Sequence, residues 1–134
     1  MDLSQKIRRE IFDKYEGKCS YCGKEILFKD DARLNGKTYI DYNSYIEYLK
    51  VVMNIDHIKP SSKGGSNNIE NLNPCCRACN SGKKNMSLED FRINITLTQN
   101  SIPFKRRQYY YLIDNYGFDL LSNIDKHKFY YEVI

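Results

Sequence analysis

Ile7, Ile11, Phe12 and Tyr15 recur at helical spacing and Gly17 follows as a stop, so residues 4–16 are predicted to form a helix. The pattern then changes. Residues 25–40 alternate weakly between apolar and polar and contain Asn35-Gly36, a two-residue hairpin turn signal. Residues 44–50 suit a short helix. Residues 51–58 are rich in β-branched side chains and read as a strand ending at Asp56-His57. Ser, Asn, Gly and Lys dominate 59–70, which is read as a loop, and 72–74 as the return strand. A helix is expected from near Cys76 to about Asn85. Ser87 can cap another, running to about Ile95. Residues 96–106, with Pro103, are expected to be loop. Residues 107–122 carry Tyr110, Tyr111, Ile113, Tyr116, Leu120 and Leu121 in a helical pattern that Gly117 can break. Residues 129–134 look like a terminal strand. The sum is an α+β fold.

Composition narrows the class. A chain of 134 residues is expected to be one domain. With 28% charged and 41% hydrophobic residues it suits a globular protein. Its net charge of +4 is mild, but its distribution is not: between His57 and Met86 five basic residues (Lys59, Lys63, Arg77, Lys83, Lys84) face one acid, Glu70. No apolar run suits a signal peptide or a membrane span of ~20 residues, which points to a cytoplasmic protein and away from a membrane partner. In a reducing compartment, five cysteines favour metal binding over disulfides.

Two Cys-x-x-Cys pairs, Cys19/Cys22 and Cys76/Cys79, offer four thiolates, the number a structural zinc ion takes. The pairs lie far apart in sequence, so two knuckles must meet in space. A filled four-thiolate shell has no open position, so this zinc is structural. Cys75 falls outside the paired spacing and is read as a small buried residue. Beside the staple stand Asp56 and His57 at a strand end. A histidine can deprotonate water, and a carboxylate can hold a hard divalent cation. Asn80 can add a second oxygen ligand. Arg77, Lys83 and Lys84 lie three before, three after and four after Asn80, on one helical face where they can meet phosphate oxygens. Taken singly, the histidine reads better as a satisfied strand-end residue and the lysines as a solvated face; only the whole set shifts that balance.

As a set, Asp56-His57-Ile58-x-Pro60, Gly64-Gly65, Asn71-Leu72, Cys76-x-x-Cys79-Asn80 and Lys83 strongly resemble the HNH endonuclease family. The likeness extends to Gly17-Lys18-Cys19-x-x-Cys22-Gly23, as in members with the zinc pairs, and to Leu88-Glu89-Asp90-Phe91 and 129–132. It implies a ββα-metal core over about 51–95, a knuckle at 17–24, an insertion at 25–50 and a C-terminal extension at 96–134. It implies His57 as general base, Asn71 as the residue that braces the loop and helps orient the histidine, and Asp56 and Asn80 as ligands of magnesium or manganese. The implied activity is hydrolysis of DNA, double-stranded, leaving 5′ phosphate and 3′ hydroxyl ends, in a bacterial or phage-encoded protein.

Two other readings stay open: a silent zinc module that only binds nucleic acid, and a nuclease of RNA. Tyr39, Tyr42, Tyr45 and Tyr48 recur every third residue and divide between core packing and base stacking. Lys105-Arg106-Arg107 is either a phosphate contact or a solvated cluster. His127 is expected at the surface. The tyrosine-rich segment near 109–121 packs on the core or forms the seam of a homodimer.

Overall fold

The computed structural model describes residues 3–29, 33–34, 37–38 and 42–134. The chain forms two compact units, Met1–Asn85 with Phe129–Ile134, and Met86–Lys128.

In the first unit, helix α1 spans Gln5–Asp13, with the Ser4 hydroxyl accepting from the Ile7 N–H at 3.2 Å. It ends before Glu16 and Gly17, both at positive φ. A Cβ on Gly17 would also press on the Phe12 ring at 3.0 Å, so this stop has a packing reason besides a conformational one. Strands β1 (Arg33–Leu34) and β2 (Lys37–Thr38) pair antiparallel. The Asn35-Gly36 turn signal between them lies outside the described residues.

Helix α2 covers Tyr42–Val51 and so takes Val51 from the expected strand. The physical reason lies across the chain. The Leu27 N–H donates to the Val51 carbonyl at 2.7 Å and the Leu27 carbonyl accepts from Met53 at 2.8 Å, so Leu27 occupies the backbone that a longer strand needs. Strand β3 is therefore only Asn54–His57. It pairs antiparallel with β4, Leu72–Cys75, with Asp56 opposite Asn73 and His57 opposite Leu72. The connecting loop holds short 3-10 turns at Ser61–Lys63 and Ile69–Asn71. Helix α3, Arg77–Lys83, follows at once, so the sheet, its loop and its helix form a ββα unit within an α+β fold.

All four residues of β4 are buried, and Ile11, Tyr21, Ile26, Leu27, Phe28, Leu72 and Phe129 fill the core of this unit. Lys14 clamps α1 to the loop end, donating to the carbonyls of Ile69 (3.2 Å) and Leu72 (3.0 Å) and to Asn73 Oδ1 (3.0 Å). Burial lowers its pKa, with Glu70 opposing.

The last segment is a helix, α6, at Tyr130–Val133, where a terminal strand was expected. The Tyr130 and Tyr131 N–H groups bond the carbonyls of Tyr21 and Ser20, both at 2.9 Å, and Glu132 caps Phe129 N–H at 2.8 Å. Phe129 fills the core and packs edge-on against Tyr21. The backbone donors are thus spent on a knuckle instead of a sheet edge.

The second unit consists of α4 (Leu88–Gln99), α5 (Arg106–Tyr116) and the turns after them. Ser87 caps α4 as expected, accepting from Asp90 N–H at 3.1 Å. The helix runs past Ile95 because Ile93 and Leu97, one turn apart, are both core. Thr96, buried between them, bonds its hydroxyl back to the Arg92 carbonyl at 2.8 Å. Gly117, at φ 62°, ends α5, and Leu121 reaches the core from the turn beyond.

Candidate active site

The two knuckles meet. The Sγ atoms of Cys19, Cys22, Cys76 and Cys79 all lie within 4.8 Å of one another. A tetrahedron with Zn–S bonds of about 2.3 Å has S···S edges of about 3.8 Å. Cys22 and Cys76 stand 3.8 Å apart, and none of these thiols forms a disulfide. The donor set and its spacing therefore fit zinc. Gly23, at φ 76°, closes the first knuckle with a bond from its N–H to the Cys19 carbonyl at 2.9 Å. Cys76 caps α3, its sulfur accepting from Cys79 N–H at 3.4 Å. The Ser20 N–H bonds the Pro74 carbonyl at 2.9 Å and fixes one knuckle to the strand that leads into the other. Cys75 is buried and outside the cluster, its thiol pKa raised chiefly by desolvation.

Next to the staple is a buried polar chain. Tyr21, between Cys19 and Cys22, donates its hydroxyl to Asp56 Oδ2 at 2.5 Å. Lys83 Nζ lies 3.1 Å from the same oxygen and 3.3 Å from Oδ1, and donates to the His57 carbonyl at 2.9 Å. Lys83 is 0% exposed and Asp56 5%. Desolvation and then the Asp56 charge push the Tyr21 pKa well above its ordinary value, so the hydroxyl stays a donor. Lys83 thus departs from the sequence reading: it does not share an open helix face with Arg77 and Lys84. It points inward because Asp56 faces α3 and the buried carboxylate needs a cation. Arg77 is exposed. Lys84 is exposed too, but it stands after the helix with φ 52° and ψ −130°, off the helical path.

His57 is half-buried at the end of β3. Its Nε2 lies 2.8 Å from Asn67 Oδ1. An acceptor there favours the tautomer with hydrogen on Nε2, which leaves the lone pair on Nδ1. Asn67 is a residue the sequence reading missed; its only signal was its place in the polar loop. The expected brace, Asn71, touches the loop rather than the ring. Its Oδ1 accepts from Lys59 N–H at 2.8 Å, and its Nδ2 donates to the carbonyls of Lys59 (3.1 Å) and Ser66 (2.8 Å). Its carbonyl also takes the Ile58 N–H at 2.9 Å. Asn71 therefore holds both ends of the loop that carries Asn67. Gly65 makes the fold-back feasible: a Cβ there would lie 1.8 Å from the Lys59 carbonyl oxygen. Asn80 is half-buried on α3, one turn before Lys83.

Residues 47–96 match the family described as HNH endonuclease. A protein of Bacillus subtilis (strain 168) named "SPbeta prophage-derived putative HNH endonuclease YoqL" is 34% identical over 79 residues, 59% of this chain. The chain spans 28% of the length of that relative. No solved structure matches. The stretch similar to the HNH endonuclease family thus contains the whole ββα unit and two of the four clustered cysteines, Cys76 and Cys79.

Proposed function

We propose that this domain hydrolyses DNA phosphodiester bonds, with His57 as the general base and zinc as a structural staple. The observation that carries the reading is the His57 ring, set at a strand end with Nε2 engaged by Asn67 and Nδ1 left to accept a proton. Water is the proton donor and then the nucleophile at phosphorus. Asn71 keeps the ring's partner in place through the loop, and Lys83 keeps the His57 backbone in place through its carbonyl. Arg77 and Lys84 are proposed to hold backbone phosphates.

Asp56 and Asn80 would hold a divalent ion, magnesium or manganese. Both offer oxygen, the donor that hard ions prefer. As the side chains stand, the position does not fit an ion: Asp56 is buried and its oxygens are engaged by the Tyr21 hydroxyl and the Lys83 ammonium, so an ion must first displace Lys83. When bound, such an ion supplies electrostatic stabilisation of charge growing on the phosphate. The reading places the protein inside the cell, with DNA as its partner. Among the described residues no helix is long and apolar enough to cross a membrane.

The test is incubation of the zinc-loaded protein with supercoiled plasmid, and separately with RNA, with and without magnesium or manganese, beside His57→Ala. Loss of a general base costs about 10²–10⁴ in rate. Nicking by His57→Ala at the wild-type rate sinks the assignment. Cleavage of RNA alone moves the substrate. Binding without cleavage of either by the wild type returns the chain to a silent zinc module.

A further inference from the structure

The second unit contains a cavity of about 490 Å³ that the proposed chemistry does not use. One wall is the run Lys105-Arg106-Arg107; Phe104 and Ile102 adjoin it, and α4 contributes Asn94, Leu97 and Thr98. We propose that this cavity is a second nucleic-acid contact, which seats one unpaired nucleotide with its phosphate on Lys105 and Arg107 and its base against Phe104. The inference rests on the nuclease reading for the class of ligand.

Three features carry it. First, the cations are not equivalent. Arg106 is held by Asp90 at 3.2 Å, and Asp90 in turn accepts from the Tyr110 hydroxyl at 2.6 Å. That pair fixes the wall. Lys105 and Arg107 are exposed and have no ion-pair partner among the described residues, so their charge is available to an anion. Second, Phe104 is 40% exposed beside those charges. An open aromatic face next to cations is the pairing that binds a strand by stacking and phosphate attraction together. Third, the Asn94 carboxamide and Thr98 hydroxyl can meet the polar edge of a base, and the volume lies in the range of small-ligand sites. A base inside a duplex hides its face, so the occupant is single-stranded or locally opened nucleic acid.

The test uses the full zinc-loaded chain carrying His57→Ala, without added divalent ion, and fluorescence anisotropy of a labelled single-stranded oligonucleotide across a salt series. Removing both cations that hold the phosphate, by Lys105→Ala and Arg107→Ala, should lower the log–log salt slope by roughly 0.7, the value for one phosphate on a single strand. Phe104→Ala should weaken binding roughly 5- to 150-fold with the slope unchanged, as for loss of one stacked base. Thermal melts verify that these exposed substitutions leave the fold intact, and Lys105→Gln with Arg107→Gln replaces the alanine pair if it does not. An unchanged slope in a folded double variant overturns the inference, as does equal loss of duplex binding by Phe104→Ala. The plasmid assay is read separately on the protein with His57, so failure here leaves the nuclease reading standing, and failure there shows in cleavage and not in anisotropy.

Discussion

Lys83 and Lys84 are neighbours with opposite environments. Lys83 is wholly enclosed and shares its ammonium between the Asp56 carboxylate and the His57 carbonyl. Lys84 stands in solvent. Removing one partner of a buried ion pair leaves the other charge unpaired, at a cost of about 3–5 kcal/mol. Lys83→Met should therefore lower stability by that order in urea denaturation of the zinc-loaded protein. Lys84→Ala should leave stability unchanged and lower the duplex-DNA salt slope by roughly 0.9. Equal melting of both variants would show that the Lys83–Asp56 pair adds nothing to the fold. Gly65 gives a second contrast at this scale. Because a Cβ there would meet the Lys59 carbonyl, Gly65→Ala must open the loop that Asn71 braces. Cleavage should fall through loss of the Asn67–His57 bond while zinc content stays the same; full activity in Gly65→Ala would show that the loop does not set the ring.

At the scale of elements, the staple joins pieces that could not hold each other by apolar surface alone. β3 and β4 have four residues each, and an isolated two-stranded sheet is marginal in water. The knuckles tie that sheet to the start of α3, and α6 packs on the first knuckle through Tyr130 and Tyr131. Zinc can supply on the order of 10 kcal/mol to such a fold. Cys19→Ser or Cys79→Ser should lose the metal and most of the cooperative melt. Cys75→Ser should keep the metal, since Cys75 lies outside the cluster. Elemental analysis beside calorimetry decides, and zinc loss in Cys75→Ser would reverse the register. Gly23 ties the tail to the same element: a Cβ would sit 2.7 Å from the Tyr130 ring, so Gly23→Ala should loosen α6 as well as strain the turn.

For the whole molecule, the count of catalytic groups limits the product. The sequence has two histidines, and His127 lies in the other unit, its ring bonded to Gln99 at 3.2 Å. On the proposed function, one protomer with one His57 would cut one strand per encounter. A concerted double-strand break needs a second active site, most simply from a two-fold dimer. Supercoiled plasmid should pass through an open-circle form before linear DNA appears. Direct linearisation by a protein that sediments as a monomer on DNA would contradict this.

The sequence by itself determined the elements with a strong local signal. Ser4 and Ser87 mark helix starts because a hydroxyl there meets an orphan N–H; Gly17 and Gly117 mark ends because only they take a left-handed turn at no steric cost. The four-cysteine cluster was legible from two Cys-x-x-Cys spacings, since a knuckle is a local structure. Tertiary structure decided the rest. Val51 joined a helix because Leu27 claimed its carbonyl, and 130–133 became a helix because a knuckle offered carbonyls to its N–H groups. Neither partner is near in sequence. Lys83 turned inward for the same reason: nothing in the run Lys83-Lys84 says which lysine faces a buried carboxylate on another element. Asn67 became the partner of His57 only because Asn71 and Gly65 folded its loop back. Local spacing fixes what a short segment can be; which charge is buried and which side chain orients the histidine depend on what packs against them.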